Sequence, residues 1–285
     1  MTRVGLVGLG TMGGPMAAAL VAAGADLLAT DVVADLRATA EEAGVAVTES
    51  LAEVAEHAEM VLLSLPTPAV VVEVTEQLWH HSPGLVVVDT STTDPLTSRT
   101  LAAQGRFVDA PVLGRPAAVG RWTMPVGCDE SLEPLVAEVL APLAARVVRV
   151  GASGSGATVK VCNNLMLSAI NAVTAEALAL AEAAGLDAGT FVDVVIDSGA
   201  ASVSGLFRDV APRAVSGDFA PVFGTALMRK DAQLALDLAA EVGVPLRVVE
   251  ASQSLNDDAV AAGLGAEDSI AVVKTLWSRS PGGSQ

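Results

Sequence analysis

The chain has 285 residues, of which 52% are hydrophobic and 17% are charged, and its formal net charge at pH 7 is −17. This length can hold two domains with a large core, and the negative charge argues against nucleic acid or an anionic membrane surface as a partner. The two cysteines and three histidines have no metal-ligand spacing, so we expect no metal site and a reducing compartment.

The first elements of the chain follow the order strand, glycine-rich turn, helix and strand. The turn has the spacing G-x-G-x-x-G and consists of Gly8, Leu9, Gly10, Thr11, Met12 and Gly13. A second apolar run ends at Asp31, at the distance of about 20 residues where a carboxylate binds the ribose diol of a dinucleotide. The sequence therefore predicts a dinucleotide site. It favours NAD over NADP, because the carboxylate would repel a 2′-phosphate.

The same segment carries no charge from Val4 to Ala25, as a signal peptide or a membrane span would. Six glycines and Pro15 interrupt it, and the dinucleotide motif explains the glycines whereas a targeting signal does not. We therefore expect a cytoplasmic protein without a membrane-spanning helix elsewhere in the chain.

Up to about residue 150, short β-branched runs alternate with helical stretches. Further strands are predicted at 61–65, 85–89, 106–109, 123–126 and 146–150. This alternation predicts an α/β fold with a Rossmann-type, doubly wound, mostly parallel sheet. The rest of the chain predicts helices only, at 155–184, 188–198, 202–215, 224–242, 246–262 and 267–277. We therefore predict an NAD-binding domain at 1–150, an all-α domain at 151–277 and a disordered tail at 278–285.

Lys160 and Asn164 lie four residues apart near the start of the helix predicted at 155–184, so both project from one helix face. A lysine there can transfer a proton, and the asparagine can hold the oxygen concerned. A lysine near a helix start is, however, usually a solvated surface charge, and both interpretations remain open on this spacing alone.

The order of six short motifs resembles the β-hydroxyacid dehydrogenase family, which includes 3-hydroxyisobutyrate dehydrogenases and tartronate semialdehyde reductases. The motifs span nearly the whole chain and are Gly8–Gly13, Leu65-Pro66, Asp89–Thr92, Asp109–Val112, Gly154–Asn164 and Leu227–Asp231.

The resemblance implies a long interdomain helix that carries Lys160 as the catalytic residue and Asn164 as a ligand of the substrate oxygen. It also implies that Lys230 lines the cofactor and substrate cleft and that Asp237 is a further substrate-site residue. Cofactor contacts are implied for Leu65, Pro66 and Thr92.

One motif departs from the family pattern. After Asp109-Ala-Pro-Val112 the family usually continues with Ser-Gly-Gly, but this chain has Leu113, Gly114 and Arg115. Leu113 cannot provide the hydroxyl that binds a substrate carboxylate. Either Arg115 replaces it, since a guanidinium suits a carboxylate, or Arg115 faces solvent and the substrate has no carboxylate there.

We therefore predict an NAD-dependent oxidoreductase that interconverts a small 3-hydroxy acid and its semialdehyde or keto form, with Lys160 as general acid and base. The alternatives are a reductase of a non-acidic aldehyde, ketone or imine on the same fold, and a non-catalytic NAD-binding module. The expected partners are a small-molecule substrate and further copies of the chain, in a homodimer or homotetramer formed through the helical domain.

Overall fold

The structure is a computed structural model, which describes residues 2–199 and 204–277. The chain divides into two compact units, Met1–Lys160 (unit 1) and Val161–Gln285 (unit 2). The sequence placed a boundary at residue 150, at the end of the last predicted strand, whereas the units divide inside the following helix. The predicted disordered tail, 278–285, lies outside the described residues.

The described part of unit 1 is built around one eight-stranded sheet. Its strands are β1 (Arg3–Val7), β2 (Asp26–Thr30), β3 (Ala46–Val47), β4 (Met60–Leu63), β5 (Val86–Asp89), β6 (Phe107–Asp109), β7 (Trp122–Gly127) and β8 (Ala144–Gly151). They lie in the order β3-β2-β1-β4-β5-β6-β7-β8, and every neighbouring pair is parallel except β6 and β7. The prediction of a Rossmann-type, mostly parallel sheet is confirmed; β3 was missed.

Six helices connect the strands of unit 1 on its described residues. They are α1 (Gly13–Ala22), α2 (Ala34–Glu42), α3 (Leu51–His57), α4 (Pro68–His81), α5 (Pro95–Ala102) and α6 (Glu133–Leu140). The side chains of Ser50, Thr67 and Asp94 cap α3, α4 and α5 by accepting main-chain N–H groups of the first turn. Proline follows the cap in α4 and α5, where its missing N–H is not needed.

The central strands of the sheet are buried on both faces. Leu6 and Leu62 belong to an apolar cluster on one side, and their neighbours Val7 and Leu63 belong to a second cluster on the other. Successive side chains of a strand point to opposite faces, so a strand covered on both sides must be apolar throughout. This requirement explains why the strands read as continuous apolar runs.

The described part of unit 2 contains helices and no strand. The helices are α7 (Ser155–Ala183, which begins in unit 1), α8 (Ala188–Ser198), α9 (Gly205–Ser216), α10 (Thr225–Val242), α11 (Arg247–Ala261) and α12 (Val273–Trp277). Leu178, Val192, Phe207, Val210 and Ile270 meet in its main apolar cluster. The helix predicted at 267–277 is instead a 3₁₀ turn, Ser269–Val272, followed by the short α12.

Helix α7 is long and apolar enough, by length and composition, to cross a membrane, which differs from the expectation that no such helix exists. Its polar side chains nevertheless make buried hydrogen bonds within unit 2. Asn171 Nδ2 donates to the carbonyl of Ser269 at 2.7 Å, and Ser168 Oγ lies 3.2 Å from Ser252 Oγ. The uncharged N-terminal segment forms β1, the glycine-rich turn and α1.

Candidate active site

The glycine-rich turn links β1 to α1 at the carboxyl end of the sheet. Gly8 has a φ of 99°, and a Cβ built on it would lie 2.1 Å from the carbonyl oxygen of Ser64. A Cβ on Gly13 would lie 1.9 Å from the carbonyl oxygen of Gly8, whereas one on Gly10 would meet no heavy atom within 4 Å. Gly8 and Gly13 therefore serve close packing of the protein itself, while Gly10 leaves open space beside the turn.

Asp31 follows β2 and is tied to the glycine-rich turn. One carboxylate oxygen accepts the main-chain N–H of Leu9 at 2.7 Å, and the other accepts that of Val33 at 2.9 Å. Each carboxylate oxygen has two acceptor positions, so these bonds orient the group and leave it able to bind hydroxyls. The turn, the start of α1 and the acid thus fit a dinucleotide: Gly10 provides space for the diphosphate and Asp31 provides the acceptor for the ribose diol.

The loops after β4 and β5 adjoin each other at the same end of the sheet. Leu65 N donates to Ser91 Oγ at 2.9 Å, and Ser91 N donates to Asp89 Oδ1 at 2.9 Å. The predicted cofactor residues Leu65, Pro66 and Thr92 lie in these two loops, and the Leu65 side chain lies 3.4 Å from the position of a Cβ on Gly8. Ligands of open α/β sheets bind in this position.

Lys160 lies in the second turn of α7 and contacts the loop after β6. Its Nζ donates a hydrogen bond to the carbonyl oxygen of Val112 at 2.8 Å. The ammonium group is therefore held by the protein, which a freely solvated surface lysine is not. The spacing of Lys160 and Asn164 predicted their pairing on one helix face, whereas the Val112 carbonyl was not predicted, because a main-chain acceptor leaves no trace in the residue pattern.

The loop that departs from the family pattern has a well-defined main chain. Leu113 pairs with Thr123 in an isolated antiparallel β-bridge. Leu113 N lies 2.9 Å from the Thr123 carbonyl oxygen, and Thr123 N lies 3.2 Å from that of Leu113. A Cβ on Gly114 would lie 2.2 Å from the Trp122 ring, and Trp122 Nε1 donates to the carbonyl of Arg115 at 2.7 Å. The side chain of Arg115 is exposed on this anchored main chain. The structure thus fixes the main chain of Arg115, and the role of its side chain stays a prediction.

In unit 2, Asn164 and Lys230 meet at a third residue, Asp231, which is only 2% exposed. Asn164 Nδ2 donates to Asp231 Oδ2 at 2.5 Å, and Lys230 Nζ lies 2.9 Å from Asp231 Oδ1. Asp231 was not among the site residues predicted from the sequence. A signal was present, because Asp231 lies among Met228, Thr225 and Leu234 on the buried face of α10, where an unpaired acid would be costly.

Asp237 lies further along α10 and is exposed, with Gln233 Nε2 donating to its Oδ1 at 2.8 Å. This is a hydrogen bond between residues four apart on one helix, a common surface contact. The structure therefore gathers Asn164, Asp231 and Lys230 into one set of contacts and gives Asp237 a separate partner. Its role as a site residue stays a prediction.

Comparison with known proteins assigns both parts of the chain. Residues 3–151 match the family model described as the NAD-binding domain of 6-phosphogluconate dehydrogenase. Residues 154–276 match the model described as NAD-binding of NADP-dependent 3-hydroxyisobutyrate dehydrogenase. The chain belongs to the β-hydroxyacid dehydrogenase family. It is accordingly an oxidoreductase that uses a nicotinamide dinucleotide and acts on a CH–OH group.

Individual family members are similar over nearly the whole chain. A probable 3-hydroxyisobutyrate dehydrogenase of Mycobacterium tuberculosis is 36% identical over 258 residues, which cover 85% of this chain and 87% of the relative. The 2-(hydroxymethyl)glutarate dehydrogenase of Eubacterium barkeri is 32% identical over 291 residues, covering 98% and 96%. A solved structure of the M. tuberculosis 3-hydroxyisobutyrate dehydrogenase with L-serine has a TM-score of 0.86 and 33% identity, covering 97% and 99%.

Proposed function

We propose that this protein is an NAD-dependent dehydrogenase of 3-hydroxy acids, in which Lys160 transfers the proton and Asn164 holds the reacting oxygen. The observation that carries the proposal is the hydrogen bond from Lys160 Nζ to the Val112 carbonyl at 2.8 Å. This bond fixes the ammonium group one helical turn before Asn164 on the same helix.

The names of the relatives support a particular substrate class. 3-Hydroxyisobutyrate, 2-(hydroxymethyl)glutarate and L-serine all contain a CH2OH group on the carbon that carries the carboxylate. They differ only in the third substituent of that carbon, which is methyl, carboxyethyl or ammonium. The proposed substrate is therefore a 3-hydroxypropanoate with a substituent at carbon 2, and the product is the corresponding semialdehyde.

The protein's own groups supply binding and proton transfer. When bound, the nicotinamide supplies the hydride donor or acceptor. In reduction, Lys160 donates a proton from Nζ to the carbonyl oxygen as that oxygen gains charge. In oxidation, the same nitrogen takes the hydroxyl proton. The Val112 carbonyl accepts one of the three N–H groups of the ammonium and so orients the others.

Asn164 is oriented for the same oxygen by Asp231. An ionised carboxylate accepts hydrogen bonds but donates none, so the amide must face Asp231 Oδ2 with its nitrogen. The second N–H of Nδ2 is then set in direction, and we assign it to the substrate oxygen. Lys230, which the resemblance places in the cofactor and substrate cleft, pairs with the other oxygen of the same carboxylate and so helps to fix the group that orients Asn164.

The choice of NAD over NADP forms part of the proposal and is supported by Asp31. Its carboxylate is oriented by Leu9 N and Val33 N and carries a negative charge. A 2′-phosphate at the ribose would face that charge, whereas a free 2′-hydroxyl would donate a hydrogen bond to it.

A second candidate substrate class is favoured by Leu113. Its main-chain N–H already donates to the Thr123 carbonyl at 2.9 Å, and its side chain is apolar. Leu113 therefore has no hydrogen-bond donor left for a carboxylate. A non-acidic aldehyde, ketone or imine would suit such a position, unless Arg115 binds the carboxylate instead. A non-catalytic NAD-binding module has less support, because it would need neither Lys160 nor Asn164.

The helical unit also carries an exposed apolar stripe on α7, formed by Met166, Val173 and Leu180 at intervals of seven residues. Side chains at this spacing lie along one face of a helix. The stripe supports the proposal that unit 2 associates with further copies of the chain, which sedimentation velocity of the purified protein would test.

The deciding experiment compares Lys160→Ala with the unaltered enzyme. The substrates are 3-hydroxyisobutyrate, 3-hydroxypropionate and L-serine, with their methyl esters and a cyclic imine, and NADH absorbance reports turnover. Lys160→Ala should lower kcat by at least about 100-fold, the lower range for a general acid–base group, without weakening NAD binding. Lys274→Ala removes a lysine that pairs with Glu267 and is the matched control.

Near-normal turnover of Lys160→Ala would show that the lysine has no part in the chemical step. A preference of the unaltered enzyme for the esters or the imine would contradict the acid substrate and favour the second class.

A further inference from the structure

Asp109 is a buried acid with no part in the proposed chemistry. It is the last residue of β6, 1% exposed, and pairs with Asp89 of β5 on one side and Gly127 of β7 on the other. A buried acid is costly unless the protein satisfies it. The hydrogen-bond partners of Asp109 therefore indicate its role in the structure.

Two main-chain N–H groups at the start of α7 donate hydrogen bonds to the Asp109 carboxylate. Oδ1 accepts from Gly154 N at 2.6 Å, and Oδ2 accepts from Ala157 N at 2.7 Å. The first N–H groups of a helix have no partner within the helix, and capping groups usually come from the residue just before it. Here the cap comes from a strand 45 residues earlier, and we call this contact the α7 cap.

Three glycines bring the α7 cap close to the sheet. A Cβ on Gly127 would lie 2.6 and 2.7 Å from the two carboxylate oxygens of Asp109. A Cβ on Gly156 would lie 2.6 Å from the carbonyl oxygens of Asp109 and Pro125, and one on Gly154 would lie 2.9 Å from that of Pro95. The first turn of α7 thus lies against main-chain atoms, which cannot move aside as a flexible side chain can.

The same short loop also reaches Lys160. Three residues after Asp109, the carbonyl of Val112 accepts the hydrogen bond from Lys160 Nζ, and Lys160 lies three residues after Ala157 on the helix. That separation is a rise of about 4.5 Å, just under one helical turn. The loop from Asp109 to Val112 therefore holds α7 at two points, through its backbone at the first turn and through the Lys160 amine at the next.

We propose that Asp109 is a positioning residue for the reaction: through the α7 cap it sets the position of Lys160 relative to the Val112 carbonyl. The inference rests on the proposed function, in which Lys160 transfers the proton. Proton transfer requires the donor within hydrogen-bonding distance of the reacting atom, and a displacement of about 1 Å can cost about 100-fold in rate.

The charge of Asp109 matters to the cap. An ionised carboxylate accepts both N–H groups, whereas protonation turns one oxygen into a donor that would face an N–H. Burial raises the pKa of Asp109 to about 6, the main-chain N–H groups of Gly154, Ala157 and Asp109 itself oppose this rise, and the nearby charge of Asp89 adds to it. Cys128, after β7, also interacts with Asp109, and the Arg99 side chain of α5 lies beside Gly154. The cap should therefore form fully as the pH rises through about 6.

The test uses Asp109→Asn in the full-length protein. Its amide oxygen can accept one N–H, but its NH2 group then faces the other. The variant should lower kcat about 10- to 100-fold and leave KM and the NAD dissociation constant unchanged. Acylation of Lys160 by an N-hydroxysuccinimide ester, followed by peptide mass spectrometry, should be faster because the amine is no longer held. Asp187→Asn, which alters an ordinary cap of α8, is the matched control.

The pH dependence separates positioning from general stability. In the direction of semialdehyde reduction, kcat of the unaltered enzyme should fall as the pH drops through about 6, and Asp109→Asn should lose this ionisation. If the variant does not fold, hydrogen exchange of the unaltered protein replaces it. Corrected for intrinsic rates, protection of Gly154 and Ala157 should be weaker at pH 5 than at pH 7.

The proposal is wrong if Asp109→Asn keeps normal kcat, if its Lys160 is acylated no faster than in the control, or if Gly154 and Ala157 are equally protected at both pH values. These results differ from failure of the proposed function. In that case Lys160→Ala would remain active, while the acylation and exchange experiments would still report whether Asp109 positions the amine.

Discussion

Replacing Gly10 with alanine should separate the binding role of a glycine from its folding role. A Cβ at Gly10 meets no heavy atom within 4 Å, and its φ is not positive, so the unliganded protein has room for it. The free energy of unfolding should stay the same or rise by about 0.4–1 kcal/mol, because alanine restricts the unfolded chain. A methyl group in the space assigned to the diphosphate should cost about 1–3 kcal/mol of binding, which is about 5- to 150-fold in the NAD dissociation constant.

The free energy of unfolding is measured by urea denaturation, and the NAD dissociation constant is measured by isothermal titration calorimetry. Gly84→Ala is the matched control, because a Cβ at Gly84 also meets no heavy atom within 4 Å. Gly84 precedes β5 and so lies at the opposite end of the sheet from the glycine-rich turn. Gly13→Ala should behave oppositely and lose stability, since its Cβ would lie 1.9 Å from the Gly8 carbonyl. Normal NAD affinity in Gly10→Ala would refute the assignment of this space to the diphosphate.

Two further substitutions test specificity. Asp31→Ser should narrow the ratio of the NADP to the NAD dissociation constants, by removing both the charge that repels a 2′-phosphate and an acceptor for the diol; tighter binding of NADP than NAD to the unaltered protein would contradict this assignment. Arg115→Ala should raise KM for a hydroxy acid about 30-fold, equivalent to about 2 kcal/mol for a charge-assisted hydrogen bond. It should leave KM for the methyl ester unchanged, and equal effects on both substrates would exclude Arg115 from carboxylate binding.

The fold could be predicted because its signals are local. Apolar runs of four or five residues marked β1, β4 and β5, and the loss of such runs after Gly151 marked the change to helices. The two residues of β3 were too few to form a recognisable run. The helix predicted at 267–277 starts late because the Asp268 side chain binds the N–H groups of Val222 and Phe223 as well as that of Ile270. These contacts to the loop before α10 hold Asp268 outside the helix.

The candidate site could be predicted only where the functional residues lie close together in the sequence, within one structural unit. The glycine-rich turn and Asp31 belong to one strand–helix–strand unit, so their spacing reports their geometry. The contacts that hold Lys160 and Asn164 join residues 48 and 67 positions apart. No periodicity of the sequence encodes such pairs, and one of the partners, the Val112 carbonyl, is a group that every residue possesses.

Each of the two residues proposed to act on the substrate is held in place by a buried carboxylate. In unit 1 the Asp109 carboxylate binds the start of the helix that carries Lys160, and in unit 2 the Asp231 carboxylate binds the Asn164 amide and the Lys230 ammonium. A buried acid fixes direction well, because it only accepts hydrogen bonds when ionised and because leaving it unpaired is costly. Neither acid is proposed to touch the reacting atoms. The proton transfer assigned to Lys160 and the oxygen binding assigned to Asn164 thus depend on carboxylates whose effect on the reaction comes entirely from what they hold in place.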